Sequence, residues 1–299
     1  MNSYKIVKII TENPQVKTFY YQAKREENKQ VCFPERAQIK NPVVHFAHNL
    51  KSRPGQFVML WLPGIGQKPF SISSDDGQTF GLTIFKRGAL TNKLFEMKIG
   101  DRVGIAGPYG TSFSIKPDIH YIMIAGGYGA APLSFLAEEL IKKGNNNIDF
   151  CIGARNKDCL LFTRRLNNIR LHIATDDGSV GQKGLATDFL PAIINADARP
   201  KLIVTCGPEL MEKKVLDICN QYNVDAEISI ERYMKCGVGI CGQCAVDNLG
   251  ICLCTNGPVV TREVANKIKE FGIYHREKSG KKVYFSISTG APLDTITSI

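Results

Sequence analysis

Residues 121–137 read YIMIAGGYGAAPLSFLA, from Tyr121 to Ala137. An apolar run of strand length stops at Gly126-Gly127-x-Gly129, and apolar residues at helical spacing follow. The stretch therefore predicts a buried strand, a tight turn and a helix. Gly126, Gly127, Gly129 and Pro132 interrupt it, and it falls short of the usual length of a membrane span. Glycines at such a turn let the backbone approach a pyrophosphate, whose charge is favoured at a helix N-terminus. Taken alone, the same residues also suit an ordinary tight turn.

Toward the C-terminus, further apolar runs (IDFCIGA, RLHIATDD, PKLIVTCGP, DAEISIE) alternate with helical spacing around 131–143, 160–167, 184–195 and 209–222. Alternation of this kind is the pattern of βαβ units around a parallel sheet, so a doubly wound α/β domain is expected. Thr205–Met211 (TCGPELM) and Thr175–Gly184 (TDDGSVGQKG) end two more strands with glycine. Together with Gly126–Gly129 they put three Gly-rich strand ends on the C-terminal edge of one sheet, where ligands bind in such folds; this favours a dinucleotide. Whether it is NAD or NADP stays open, since Arg155 can meet a phosphate or cap a turn.

Toward the N-terminus the period changes. Short β-rich runs (YKIVKII, KTFYYQA, PVVHFAHNL, GQFVMLWLP, KPFSISS, FGLTIFKRG, DRVGIAGPYG) recur between turn signals as far as about Ser114, which predicts an antiparallel barrel. Charge and proline dilute the pattern from Ala23 to Pro54, read here as an extended loop. In QKPFSISS, Lys68 can hold a phosphate, Phe70 can cover a planar heterocycle and Ser71 can bond a ring nitrogen. KRGALTNKLF adds the Thr91 hydroxyl at an expected helix start.

The chain has 299 residues, ten cysteines and a formal net charge of +10. Its basic residues (Lys24–Arg25, Lys142–Lys143, Arg164–Arg165, Lys281–Lys282) are dispersed and no nucleic-acid motif occurs, so no nucleic-acid partner is expected. No secretory signal or membrane span is read, which places the chain in the cytoplasm. Five cysteines, Cys32, Cys151, Cys159, Cys206 and Cys219, lie scattered in apolar surroundings as small fillers. The other five crowd into 236–254, which points to a metal centre rather than a disulfide framework. Cys236, Cys241 and Cys244 form C-x4-C-x2-C, the plant-type [2Fe-2S] order. A four-thiolate zinc site instead pairs two C-x2-C knuckles, and only one is present. The fourth ligand is Cys252 or Cys254; if ICLCT is extended, the two point to opposite faces and cannot both serve. The segment is too short to build a core, so the centre it binds is expected to supply its stability.

The ordered set KPFS, GALT, GPYG, GGYGAAP, CGP and cysteine cluster, spread over roughly Lys5 to Val260, resembles the ferredoxin-reductase-like flavoproteins. Within them it is most similar to the electron-transfer subunits of the two-protein dihydroorotate dehydrogenases B. The resemblance implies an FAD-binding β-barrel (1–115), an NAD-binding doubly wound domain (116–232), a [2Fe-2S] segment (233–260) and an extension without a role (261–299). It matches Lys68, Pro69, Phe70, Ser71 and Thr91 to the FAD site, with lysine in place of the usual arginine. Gly126, Gly127, Gly129, Cys206, Gly207 and Pro208 match the NAD(P) site. Cys236, Cys241, Cys244 and, from the Cys-x-x-Gly-Pro-Val frame, Cys254 match the cluster ligands. No catalytic residue is assigned. The implied function is to carry electrons through [2Fe-2S] and FAD between NAD and a flavin-containing dihydroorotate-oxidising subunit, in a heterotetramer holding each chain in duplicate. Relatives serving ferredoxin:NADP oxidoreductase, sulfide dehydrogenase or hydrogenase complexes keep the same path with another partner. A regulatory protein with a redox or zinc switch is the reading from a different class.

Overall fold

The computed structural model describes residues 2–23, 51–163, 165–166 and 169–285. The strand expected at 42–50, Cys32, Lys24–Arg25 and Arg164 lie outside the described residues, as does the chain beyond 285.

Six strands close the expected barrel in the order β1-β2-β5-β4-β3-β6: β1 Asn2–Asn13, β2 Val16–Ala23, β3 Phe57–Leu62, β4 Gly66–Asp75, β5 Thr79–Phe85 and β6 Arg102–Tyr109. A single helix, α1 (Ala89–Glu96), follows β5. Successive side chains on a strand face opposite ways, and β3 uses both faces. Val58, Leu60 and Leu62 fill the barrel, while Phe57 and Met59 join a second core beneath the cysteine segment. That double burial explains the unbroken apolar run FVML, where a strand with one wet face would alternate.

The second sheet has the order β10-β9-β8-β7-β11-β12-β13. Its strands are β7 His120–Gly126, β8 Ile148–Ala154, β9 Arg170–Thr175, β10 Gln182–Lys183, β11 Lys201–Cys206, β12 Asp225–Ser229 and β13 Val259–Thr261. All pair parallel except β13, which returns antiparallel on β12 at the edge. β7 is buried throughout: Ile122 and Ile124 pack on one face of the sheet, Tyr121, Met123 and Ala125 on the other. Helices α2 (Ala130–Lys142), α3 (Leu190–Asn195) and α4 (Glu209–Tyr222) lie where the helical spacing predicted them. No helix forms at 160–167 among the described residues. Asn156 caps a 3-10 turn at Lys157–Cys159, and Phe162 takes a φ of +61°, which stops helical continuation. The apolar residues there serve as a lid, with Leu161, Phe162 and Leu166 buried on the core beside α2.

The cysteine segment does have a core. Met234, Val246, Leu253 and Val260 pack with Ile228 and Ile230, with Phe57 and Met59 of the barrel, and with Ile268 and Phe271 farther on. The expectation that the bound centre must supply all of its stability is therefore corrected: neighbours on three sides share its burial. After β13 come α6 (Arg262–Lys267) and a hairpin of β14 (Tyr274–Arg276) with β15 (Lys282–Tyr284). A four-residue helical turn, α5 (Leu253–Asn256), precedes β13.

One polar cluster lies at the sheet edge opposite the glycine turns. On β8, the Asp149 carboxylate, 4% exposed, accepts from Nε2 of His120 on β7 (2.5 Å), Nε2 of His172 (2.7 Å) and the Arg170 guanidinium (2.8 Å) on β9. Burial pushes its pKa up, but these hydrogen bonds outweigh burial and hold it well below the usual carboxylate range. A depressed folded pKa gives stability that is present above the unfolded value near pH 4 and lost as pH falls through the folded one. Asp149→Asn is therefore expected to destabilise the protein at pH 7 by about 2–3 kcal/mol. The deficit should shrink below pH 4, as read from denaturant unfolding across pH.

Candidate functional site

A cleft of about 890 Å³ opens where barrel, sheet and cysteine segment meet. On the barrel side it is lined by Lys68, Pro69, Phe70 and Ser71 of β4, and by Arg87 through Thr91 at the start of α1. Lys68 pairs across from Leu60 and Phe70 from Val58, so the register of β3 and β4 fixes the motif along the cleft wall. Thr91 lines the cleft, but its hydroxyl is engaged locally. It accepts from the N–H of Arg87 (2.8 Å) and Gly88 (2.9 Å) and donates to the Gly88 carbonyl, which shapes the turn before α1. The first N–H groups of α1 have no partner inside the helix and remain as anion donors.

The sheet side of the cleft is formed by Tyr128, Gly129 and Pro132 after β7 and by Cys206 at the end of β11. The two turns interlock backbone to backbone. A Cβ on Gly129 would lie 2.1 Å from the Cys206 carbonyl oxygen, and one on Gly126 2.5 Å from Cδ of Pro208. Gly207 meets the Gly126 nitrogen at 2.9 Å in the same way. Gly126, Gly129 and Gly207 are thus glycines chiefly so that the strand ends can touch each other. Gly127, at φ +52°, is the member of the motif at which an added Cβ would meet no neighbour within 4 Å. The third Gly-rich strand end, Thr175–Gly184, stands on the same edge but two strands away, and it does not line the cleft. Cys206 is 5% exposed, and burial, aided by Glu212 and Glu231, raises its pKa well above that of an ordinary thiol.

Ser229 through Lys235 complete the lining and lead directly to Cys236. Gly237, at φ +77°, lies flat on Met59 and Tyr109, where a Cβ would come within 2.9 Å of both. The segment is thereby seated on the barrel. Beyond it, the thiols fall into two pairs. Cys236 is hydrogen-bonded with Cys241, and Cys244 with Cys254, whose N–H also donates to the Cys244 sulfur (3.3 Å). N–H groups converge on the sulfurs: Val238 donates to Cys236 (3.4 Å) and Gly239 to Cys254 (3.1 Å). Burial raises the Cys236 pKa, but N–H donors of Cys241, Val238 and Ile240 outweigh it and bring the thiol down to about 6. Among the described residues no three His, Cys, Asp or Glu side chains converge on one point to hold a single ion. Two thiol pairs suit a dinuclear centre, with one pair on each iron, better than a zinc ion enclosed by four sulfurs. ICLCT is not extended: Asn256 N–H closes a turn onto the Cys252 carbonyl (2.8 Å), leaving Cys252 half-buried and Cys254 only 1% exposed.

Residues 231–264 match the iron-sulfur cluster binding domain of dihydroorotate dehydrogenase B. A probable dihydroorotate dehydrogenase B (NAD(+)) electron transfer subunit of Methanocaldococcus jannaschii is 47% identical over 234 residues, 78% of this chain and 88% of that one. The protein of the same description from Thermococcus kodakarensis is 44% identical over 223 residues, covering 73% and 88%. This chain belongs to that electron-transfer subunit family. Among solved structures, the NADH-dependent reduced ferredoxin-NADP oxidoreductase studied for flavin-based electron bifurcation superposes with a TM-score of 0.70 at 26% identity. The match covers 87% of this chain and 88% of that one. An Amycolatopsis cytochrome P450 reductase shares the fold at a TM-score of 0.59 and 18% identity, over 74% of this chain and 66% of that one. The subunit is thus an oxidoreductase of the FAD- and NAD-binding ferredoxin-reductase type with a C-terminal [2Fe-2S] domain. Among the described residues, no helix is long and apolar enough to cross a membrane.

Several lining residues of this family member carried no role in the sequence: Arg87 and Tyr128, inside the quoted motifs, and Glu231, Arg232, Tyr233 and Lys278, outside them. Arg232 is buried on Glu209, its guanidinium donating to the carboxylate at 2.6 and 3.2 Å. Burial, then the Glu209 charge, push the Glu231 carboxyl up to about 7 against the opposing pull of Arg87 and Arg232. A carboxyl with that pKa can take or give a proton at neutral pH. The stretch ERY, between the last parallel strand and the first cysteine, was the available signal.

Proposed function

We propose that the chain links NAD to a partner dihydroorotate-oxidising flavoprotein subunit through one continuous cofactor path. The observation that carries this is the cleft itself. It is lined at once by the KPFS motif, by Tyr128 and Gly129 of the GGYG turn, and by Cys206, and it reaches Lys235, beside the first thiol of the cysteine module. Lys68, the helix start at Gly88–Thr91 and Arg87 would hold the FAD phosphates, with Pro69, Phe70 and Ser71 along its ring. Gly126, Gly127, Gly129, Cys206, Gly207 and Pro208 would receive NAD. Cys236 with Cys241, and Cys244 with Cys254, would hold the [2Fe-2S] cluster. Bound together, NAD supplies hydride chemistry, FAD the exchange between paired and single electrons, and the cluster one-electron traffic.

The chain's own residues position these groups and keep water out. β3 and β4 set the flavin wall, the interlocked turns after β7 and β11 set the nicotinamide wall, and Gly237 seats the cluster module against Met59 and Tyr109. We place the protein in the reducing cytoplasm, in keeping with nine described cysteines that form no disulfide. In our reading it pairs with the catalytic subunit in a heterotetramer holding each chain in duplicate, without nucleic acid or membrane. The likeness to the reduced ferredoxin-NADP oxidoreductase favours one second reading, with the same path and another partner.

The two are separated by mixing the chain with the dihydroorotate-oxidising subunit of the same cell. Co-elution, with dihydroorotate-dependent NADH formation only when both chains are present, is the expected outcome. A stable complex that forms no NADH from dihydroorotate would refute the reading.

A further inference from the structure

The hairpin β14–β15 has no place in the motifs that define the fold, yet its turn reaches the cofactor cleft. Lys278, on that turn, lines the cleft together with Lys68. The hairpin is not a loose tail. The Arg276 guanidinium donates twice to Asp247 (2.8 Å each) and the Tyr274 hydroxyl donates to the same carboxylate (2.7 Å). Asp247 belongs to the cysteine module, between Cys244 and Cys252. On the other side the Gly272 N–H donates to Glu209 (2.8 Å), the carboxylate that also holds Arg232.

Two lysines therefore face one cleft from opposite elements. Among the described residues, neither ammonium hydrogen-bonds to a carboxylate or forms a salt bridge; the Lys68 ammonium lies over the Tyr233 ring at 5.3 Å. Burial, then the charge of Lys278, lowers the Lys68 pKa, which places the two like charges within electrostatic reach. Like charges held together without an anion are unfavourable, and a bound anion between them removes the cost. The barrel motif carries a lysine where a forked guanidinium would give two parallel bonds, and a lone ammonium is only a point charge.

We propose that Lys278 is a ligand-binding residue of the cofactor site, and that Lys68 and Lys278 together clamp the diphosphate of FAD, with the hairpin as the second jaw. This rests on the reading of the cleft as the FAD site. It gives the C-terminal extension a role: the same segment that braces the cluster module through Asp247 closes over the flavin diphosphate.

The test is FAD affinity of the full chain, stripped of flavin and titrated by fluorescence quenching. Lys278→Ala is expected to weaken FAD binding about 3- to 10-fold, as befits an exposed cation at the rim of a site. Lys278→Arg should restore it, and Lys281→Ala on the same hairpin should leave it unchanged. Riboflavin, which lacks the diphosphate, should bind wild type and Lys278→Ala alike. NADH affinity, measured separately on flavin-loaded protein, should also stay within about twofold. Wild-type FAD affinity retained by Lys278→Ala overturns the proposal. A loss confined to NADH assigns the lysine to the other dinucleotide and overturns it as well. Failure of the wild-type chain to bind FAD would instead overturn the underlying reading of the cleft.

Discussion

Cys254→Ser is expected to lose the [2Fe-2S] centre, whereas Cys252→Ser keeps it. Cys254 is 1% exposed, accepts the Gly239 N–H at 3.1 Å and is hydrogen-bonded with Cys244, so it sits inside the loop that wraps the thiols. Cys252 is half-buried on the outer side, with its sulfur 4.0 Å from the Gly239 carbonyl. Gly239 thus stands between the two sulfurs, offering its N–H to Cys254 and its carbonyl oxygen to Cys252. A carbonyl beside a thiolate repels it, while an N–H stabilises it. Iron and acid-labile sulfide per chain should fall at least about fivefold in Cys254→Ser, because metal binding needs the full thiolate set. They should stay near wild type in Cys252→Ser. The opposite pattern would move the fourth ligand to Cys252.

Gly129→Ala is expected to be the most damaging change in the nucleotide turn. Its new Cβ would lie 2.1 Å from the carbonyl oxygen and 2.5 Å from the carbonyl carbon of Cys206. Both are backbone atoms of β11, so no side chain can swing away and the two strand ends must part. Overpacking of this kind costs about 3 kcal/mol. In the proposed function these turns form the nicotinamide wall, so NADH affinity should fall by about tenfold or more, as expected for a displacement near 1 Å. Gly127→Ala is the internal control. No atom lies within 4 Å of its Cβ position, and only the left-handed φ is unfavourable, at about 1–2 kcal/mol. Thermal unfolding and NADH titration of the two variants give the comparison. Equal effects would show that packing between the turns is not what the glycine provides.

The barrel and the parallel sheet were legible because each rests on local periodicity: β7 runs apolar from Tyr121 to Ala125 since both faces are covered, and β5 turns every second residue, Phe80, Leu82 and Ile84, into the barrel. The C-x4-C-x2-C spacing and the strand-end glycines were legible because turn chemistry is local too. What failed was set by contacts distant in sequence. The apolar residues at 160–166 satisfy a helical pattern, but the core beneath α2 needs them as a cover, and Phe162 breaks the helix. ICLCT carries the alternation of a strand, but the following Gly257–Pro258 docks on the barrel, where Thr111 N–H meets the Gly257 carbonyl at 2.6 Å and Thr111 Oγ donates to Val259. Glu231, Arg232 and Lys278 carry no motif. Their place in the cleft follows from β12, from the Glu209 ion pair and from a hairpin anchored on Asp247. The reason for the glycines also shifted, since Gly126 and Gly129 are required first by the close approach of two turns.

The most direct measurement is an anaerobic NADH titration of the purified chain alone, followed by visible absorbance and by electron paramagnetic resonance. Its analytical counterpart is one FAD and one [2Fe-2S] centre per chain. Bleaching of the flavin band together with the appearance of the resonance of a reduced [2Fe-2S] centre is the predicted result, because the cleft lined by Lys68–Ser71, Tyr128, Gly129 and Cys206 reaches Lys235, beside Cys236. A flavin that bleaches while the iron-sulfur centre stays oxidised, or zinc in place of iron, would contradict it.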